Sequence, residues 1–301
     1  MNIAILSKGP DNVSTKRLKQ EAESRGHNVR VINYAKCYVT LEQNNPVIRY
    51  EGEEIHDVDV IIPRIASNLT KYGTSIVRQF EMQGVFSTAS SLAINRTRDK
   101  LRAAQILARA GIDIPKTAFA RETAEVEDLI EQAGGAPLII KVARGTHGKG
   151  VVLAETRKAA EAVMQAFYVE GVSFLVQEFI QESAGTDIRA FVVNGKVVAS
   201  MQRQSLDDDF RSNLHQGGEG NTIKLTEEEK KTAQRAAKAM GLPICGVDMM
   251  RSNRGPLVLE VNASPGFGIE KVTGRDVAGK ILDYIEQNSK SKRGKRDRVG
   301  A

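Results

Sequence analysis

The chain opens on a short apolar run, Ile3-Ala4-Ile5-Leu6, and Ser14–Ser24 then takes up helical spacing, with Ser14 placed to cap it. Gly26 closes that helix and Val29–Ile32 reads as the next strand. Val58–Ile62 is apolar apart from Asp59, the pattern of a strand covered on both faces, and Pro63 is expected to stop it. Tyr72–Gln83 returns to a helical period. Strands separated by helices predict a small α/β unit with a parallel sheet. Ligands of such sheets lie beyond the carboxyl ends of the strands, which makes Pro63-Arg64 a candidate site.

A strong helix pattern covers Asp99–Ala110 and is closed by Gly111. From Pro137 the texture becomes strand, glycine-rich loop and strand, followed by a helix over Lys158–Phe167. Hairpin signals come next: Phe174–Ile180, Ile188–Val193 and Lys196–Met201, the last two about the Asn194-Gly195 turn. Thr226 with Glu229 forms a capping box for a helix running to Gly241. A second hairpin, Gly246–Arg251 with Leu257–Asn262, precedes a last helix over Asp276–Gln287.

Length adds that 301 residues make two or three compact units. With 41% hydrophobic and 27% charged residues the balance is that of a globular chain. No apolar run reaches membrane-spanning length, and no membrane partner is expected. Two cysteines, Cys37 and Cys245, make no disulfide framework, so a reducing cytoplasm is expected. The net charge of +6 is concentrated at one end: Lys290, Lys292, Arg293, Lys295, Arg296 and Arg298 stand against Asp297 alone. The body is nearly neutral and is no general polyanion binder; the tail reads either as a solubilising extension or as a nucleic-acid contact.

The chemistry concentrates on the second hairpin. A register centred near Arg254 sets Asp248 opposite Glu260, and period-two alternation puts Asn262 on the same face. Facing carboxylates repel unless a cation lies between them. Two carboxylates and an amide suit a hard cation such as Mg²⁺; the other reading is a solvated face with incidental acids. The flanking Val247, Met249, Leu257, Leu259 and Val261 look like a central strand pair and favour the metal. Lys141 ends the run Leu138-Ile139-Ile140, ahead of Gly145-Thr146-His147-Gly148-Lys149-Gly150, whose backbone can cradle phosphates. It is not a Walker loop, because Gly150 follows Lys149 and a strand, Val151–Leu153, follows where that motif needs a helix. Alone the loop is equally a simple turn, but a metal face further along favours the nucleotide.

Glu178, Phe179 and Ile180 leave a strand in an apolar context, where they can hold an adenine, or they form an edge strand with a solvated acid. Asp187 lies where a carboxylate can accept from a ribose. A simple register from Asn194-Gly195 sets Arg203 on the opposite face from Asp187, so a bulge or strand end is needed if both serve one site. The polar loop Asp207–Asn221 carries Arg211 and Asn213, able to clamp phosphate or carboxylate oxygens. His215 is there either an acid–base group or a surface hydrogen-bonder. No Ser/His/Asp or Cys/His set points to a protein nucleophile.

Together these stretches resemble the ATP-grasp superfamily of carboxylate–amine ligases. The resemblance rests on Asp99-Lys100-Leu101, Lys141 with its glycine loop, the run from Asp209 to His215, and the run from Glu260 to Gly266. Val60–Ile65 and Arg78-Gln79-Phe80-Glu81 look like the RimK-type glutamate ligases, and the likeness extends to about Gln287. It implies an α/β ATP-grasp fold preceded by a small parallel-sheet α/β (pre-ATP-grasp) domain. The expected units are residues 1–95, a small lobe 96–172, a C-terminal lobe 173–288 with the metal site, and a basic tail 289–301. Carried over by position, Lys100, Lys141, Gly145, Gly148, Gly150, Glu178, Phe179, Ile180, Asp187, Arg211, Ser212 and Asn213 bind ATP. Arg203, Arg211 and Asn213 steady an acyl phosphate. Asp248, Glu260 and Asn262 hold two Mg²⁺ or Mn²⁺ ions, and Arg64, Ser264 and Gly266 face the substrates. The implied reaction adds L-glutamate to the C-terminal carboxylate of a peptide or small-subunit ribosomal protein, or builds poly-α-glutamate, with ADP released. A homotetramer is implied too, and the tail is expected to touch ribosomal RNA or an acidic acceptor if it has a role. The competing expectations are ligation of another amino acid or small-molecule acceptor, a phosphotransferase on the same fold, and a ribosome-bound nucleotide sensor.

Overall fold

The computed structural model describes residues 1–43, 46–119, 126–143, 150–205 and 219–289. Its first unit is a parallel sheet of β1 (Asn2–Ser7), β2 (Asn28–Ile32), β6 (Val60–Arg64) and β7 (Phe86–Ser87), in the order β2-β1-β6-β7. Between β2 and β6 lies a small antiparallel sheet that the hydrophobic pattern did not announce: β3 (Cys37–Thr40), β4 (Val47–Tyr50) and β5 (Glu53–Glu54). The helices are α1 (Val13–Ser24) and α2 (Thr70–Met82), followed by α3 (Ser91–Arg98), also unannounced.

The central strands β1 and β6 are largely apolar because both faces are covered, while the edge strand β2 leaves Asn28 and Arg30 exposed. Ala4, Leu6 and Ile61 enter one core, while Ile3, Ile5, Val60 and Ile62 enter another that includes Ile281, Leu282 and Ile285 near the end of the chain. Two local expectations are corrected. Pro63 does not end β6 but lies inside it, opposite Leu6. The carbonyls of Asp59 and Ile61 bond toward β7, which stops at Ser87, so the missing N–H of Pro63 falls beyond the partner's end. Ser14 is not a cap: Asn12 precedes the helix, and the Ser14 hydroxyl accepts from the Phe267 amide at 3.1 Å. That bond fastens the first unit to the turn after the metal-type hairpin.

Asp99 caps α4 (Lys100–Arg109), its carboxylate accepting from the Arg102 amide at 3.0 Å. The small lobe follows: β8 (Thr117–Ala118), α5 (Val126–Gln132), β9 (Leu138–Val142), β10 (Val151–Ala154), α6 (Arg157–Val169) and β11 (Phe174–Glu178). Its antiparallel sheet, in the order β10-β9-β11-β8, covers a separate core of Leu138, Ile140, Met164, Phe174 and Val176 with their neighbours. Because β11 pairs with β9 and β8, the sheet of this lobe runs to Glu178.

The large sheet contains β12 (Thr186–Val193), β13 (Lys196–Gln204), β14 (Glu219–Thr222), β15 (Ile244–Ser252) and β16 (Gly255–Asn262), in the order β14-β13-β12-β15-β16. Helix α7 (Glu227–Met240) opens with the expected reciprocal capping box of Thr226 and Glu229 and ends at Gly241 in the left-handed conformation. Helices α8 (Gly268–Thr273) and α9 (Val277–Asn288) complete the fold. No helix among the described residues is long and apolar enough to cross a membrane. The tail beyond Ser289 lies outside the described residues.

Candidate active site

The large sheet sorts its residues by period two. Ile188, Ala190 and Val192 of β12, with Cys245, Val247 and Met249 of β15, point into the main core. Asp187, Arg189 and Asp248 therefore stand on the other face, together with Arg203. Two bulges make this possible. In β13, Phe191 pairs with Ala199 but Val192 pairs with Val197, so Val198 is extra and Asp187 comes directly opposite Arg203. In β16, Met249 pairs with Val258 but Asp248 pairs with Glu260, so Leu259 is extra. The turn is a two-residue Asn253-Arg254, with Ser252 opposite Gly255. A register centred on Arg254 thus gave the right Asp248–Glu260 pair through a different turn. The bulge also returns Val258 to the core while leaving Glu260 and Asn262 on the site face.

On that face the charges interlock. Arg189 donates to Asp248 through Nε at 2.7 Å and through Nη2 at 2.5 Å. Arg203 donates through Nε to Asp187 at 2.6 Å and reaches Asp248 at 3.0 Å. Burial would raise the Asp248 carboxyl, but Arg189 and Arg203 outweigh it and hold it well below the carboxylate range. Asp187, buried as deeply and with a single hydrogen-bonded guanidinium, is held higher than usual. The Arg203 guanidinium, against its own burial, is raised by Asp248 and Asp187. Both Asp187 oxygens are engaged by Arg203, so in this geometry its carboxylate is an anchor for that arginine and not a free ribose acceptor.

Asn262 donates to Glu260 at 2.9 Å and to Asp248 at 3.3 Å. This donor set fits a hard cation. Glu260 is exposed with an amide as its partner, and the Asn262 side chain, turned over, offers its oxygen between the two carboxylates. Asp248 is the least available of the three, since two guanidiniums already share it. No group of three or more His, Cys, Asp and Glu side chains forms another metal-type cluster among the described residues.

Opposite Glu260 stand the ammonium groups. Lys141, on β9, donates to Gln177 at 2.6 Å, and Gln177 in turn donates to Thr117 at 2.8 Å. Lys141 is part-buried, and burial pushes its ammonium down to about 8 despite the opposing pull of Glu260. Lys100, the first residue of α4, donates to the Val142 carbonyl at 3.2 Å, and burial lowers it too. At the end of β11 the Glu178 carboxylate accepts from the Lys116 amide at 2.7 Å and pairs with Arg254 at the tip of the large-sheet hairpin. Phe179 and Ile180 follow directly, Ile180 buried.

The third wall is the first unit. Arg64, at the end of β6, donates to the Pro265 carbonyl at 2.8 Å and lies 5.4 Å from the Phe267 ring centre. Ser264 donates to the Pro63 carbonyl at 3.3 Å, and nothing crowds the place of a Cβ at Gly266. The structure so brings together Arg64, Lys100, Lys141, Arg203, Asp187, Asp248, Glu260, Asn262 and the Ser264–Gly266 turn. Gly150, with φ of +73°, sits against Val142 in a space that a Cβ would enter at 2.7 Å. Gly145, Gly148, Arg211, Ser212, Asn213 and His215 lie outside the described residues. Sequence reasoning missed Gln177 and Arg98, and it left Arg189 without a role although period two from Asp187 placed it on the site face. A cavity of about 710 Å³ opens elsewhere, between Phe86–Ser90, the Asn194-Gly195 turn and the α7 residues Lys231 and Lys238, and none of the groups above lines it.

A parallel α/β unit followed by two lobes that close their charges on one cleft is an ATP-grasp architecture. The chain belongs to the RimK family: residues 1–94 match the RimK pre-ATP-grasp domain and residues 97–285 the RimK-like ATP-grasp domain. It is 55% identical over 290 residues, 96% of either chain, to a protein of Picosynechococcus named "Probable alpha-L-glutamate ligase". A protein of Aliivibrio fischeri with the same name is 54% identical over 296 residues, 98% of either chain. Among solved structures, the ATP-grasp ligase PsnB complexed with minimal precursor superposes with a TM-score of 0.74 at 21% identity, over 95% of this chain and 98% of that one. A RimK domain protein from Sphaerobacter thermophilus gives 0.71 at 21% identity, over 94% and 99%. At these identities the superpositions speak for the fold.

Proposed function

We propose that this chain is an ATP-dependent, ADP-forming ligase that adds L-glutamate to the C-terminal α-carboxylate of a peptide or protein through an acyl phosphate. The observation that carries the reading is the cleft itself: Glu260 and Asn262 beside Asp248 on one wall, with Lys141 and Lys100 facing Glu260 from the other. A divalent ion, Mg²⁺ or Mn²⁺, and in our reading a pair of them, would bind Glu260, Asn262 and Asp248 and neutralise phosphate charge. The protein's own part is positional. Lys100 and Lys141 draw the terminal phosphate toward the acceptor carboxylate, and Arg203, fixed by Asp187 and Asp248, stands ready for the acyl phosphate. Glu178, Phe179 and Ile180 would line the adenine side, with Asp187 acting through Arg203. Arg64 and the Ser264–Gly266 turn would meet the substrates. The names of the glutamate-ligase relatives support the choice of amino acid. Two buried free thiols, Cys37 and Cys245, accord with work in the cytoplasm.

The test is mass spectrometry of candidate acceptors, including peptides with the C-terminal sequence of small-subunit ribosomal proteins, incubated with ATP, Mg²⁺ and each amino acid in turn. Glutamyl addition with stoichiometric ADP and phosphate is expected. Stoichiometric AMP, or ADP release that needs no amino acid, would end the proposal; the latter is the phosphotransferase outcome.

A further inference from the structure

Among the described residues the cleft holds more positive charge than its carboxylates balance. Asp187 and Asp248 are matched by Arg189 and Arg203. Glu260 is left facing Lys100, Lys141 and Arg98, with Arg64 next to Arg98. Phosphates account for the two lysines, Lys141 on the small-lobe sheet and Lys100 on α4, which reaches that sheet at the Val142 carbonyl. They do not account for the arginines. Arg98, the last residue of α3, donates through Nη2 to the Ile65 carbonyl at 2.7 Å, one residue past Arg64 and at the carboxyl end of the parallel strand. Arg64 is turned to the Pro265 carbonyl. Both guanidiniums are therefore held by backbone carbonyls, Arg64 by that of Pro265 in the Ser264–Gly266 turn and Arg98 by that of Ile65, with Arg98 also within electrostatic reach of Glu260 and Lys100.

Neither arginine has an ion pair within 4 Å among the described residues, and Arg98 Nε is buried without a hydrogen-bond partner. Burial lowers both, Arg64 to about 10, and the two guanidiniums repel each other. Two desolvated, mutually repelling guanidiniums held apart by backbone carbonyls form a site that an anion completes. A planar carboxylate suits the guanidinium fork better than it suits a lysine.

We propose that Arg98, with Arg64 beside it, holds a substrate carboxylate that is not the one activated, in first place a carboxylate of the incoming amino acid, and thereby sets the preference for an acidic substrate. The activated carboxylate must travel to the phosphate between the lysines and Glu260; a carboxylate held by the arginine pair, anchored to the Ile65 and Pro265 carbonyls, only orients its owner. The identity of that substrate rests on the ligase reading above, while the carboxylate site rests on the arginine pair.

Arg98→Met and Arg98→Lys separate the outcomes, with ATP, glutamate and acceptor peptide varied in turn. Arg98→Met is expected to raise the KM for glutamate by about ten- to a hundredfold, the size of a lost charge-assisted hydrogen bond, with the KM for ATP unchanged. Discrimination between glutamate and glutamine should narrow by a similar factor, and Arg98→Lys should recover part of both. A raised KM for the acceptor peptide instead of glutamate would keep the carboxylate site and assign it to the acceptor. A raised KM for ATP alone, or no change for either acid, would overturn the proposal. Glutarate supplies a readout independent of turnover: it should raise the melting temperature of the wild type and not of Arg98→Met. If glutarate protects both equally the carboxylate site is refuted, even in a chain that ligates no glutamate.

Discussion

The large sheet and the small lobe bring charge to one cleft by different means. In the large sheet each charged group is locked to another: Asp187 to Arg203, Arg203 and Arg189 to Asp248, Asn262 to both carboxylates of the hairpin. The reverse face of those strands lies in the main core together with residues of α2, α4 and α7. The small lobe has its own core, and Lys141 is backed by an uncharged Gln177. Among the described residues its side-chain ties across the cleft include Lys100 to Val142 and the Glu178–Arg254 pair, whose arginine is 48% exposed. The difference assigns the work: anionic and guanidinium geometry is set in advance by a rigid sheet, with Lys100 on α4 belonging to the same main core, and the Lys141 ammonium comes from a body with few ties, the half able to tilt as a nucleotide binds.

The hardest blow to this division is on the preset side. Glu260→Gln should leave a folded protein, since Glu260 is exposed and carries no core contact, yet slow ligation by about a thousandfold or more, the loss of several kcal/mol of phosphate neutralisation. Asn262→Ala should act in the same sense and more mildly. ADP release at saturating Mg²⁺ measures both; near-normal turnover of Glu260→Gln would remove the hairpin from the site.

Stability should divide the two regions next. Arg203→Met strips the guanidinium from the buried Asp187 and is expected to cost about 3–5 kcal/mol, because a charge stays behind in the interior, while Asp187→Asn should cost less since Arg203 keeps Asp248. The double variant should regain part of that loss. Arg254→Ala breaks an ion pair at the surface and should cost no more than about 1 kcal/mol. Denaturant melts of the four proteins make the comparison, and equal losses for Arg203→Met and Arg254→Ala would dissolve the distinction.

The fold was legible where periodicity was long. Alternating strands and helices announced the first unit, and the Thr226–Glu229 capping box marked α7. Period two found the Asp248, Glu260 and Asn262 face, although the true register needs a shorter turn and a bulge at Leu259 that compensate one another. A single extra residue leaves no compositional trace, which is why the Asp187–Arg203 pairing was visible only as a conflict until the bulge at Val198 resolved it. Arg98 was hidden because α3 is short and carries little periodic signal, though Ser90, which accepts from the Ala93 amide at 3.1 Å, is a cap that sequence reasoning could have used. Its place beside Arg64 depends on packing between segments that no local pattern records.

The smallest effect concerns the adjustable side, and it has a definite sign. Burial moves Lys141 from its ordinary value of 10.5 down to about 8 in the free protein. Between those two values the unfolded chain binds the proton and the folded one does not, so the contribution of this lysine to stability rises with pH across that window. Nucleotide binding should move the other way, because phosphates need the charged ammonium. Above pH 8 the Kd for metal-free ATP should rise, by up to about tenfold per pH unit if only the protonated form binds. Lys141→Arg keeps its charge throughout, so the same titration should be shallower, with Lys100, which burial also lowers, as the lysine left to titrate, even if the longer side chain weakens binding at every pH. Isothermal titration in EDTA from pH 7 to 9.5 compares them, with ATP uptake accompanied by more proton uptake in the wild type than in the variant. Parallel pH profiles for the two proteins would mean that Lys141 is charged in the free cleft and that the small lobe is as preset as the sheet it faces.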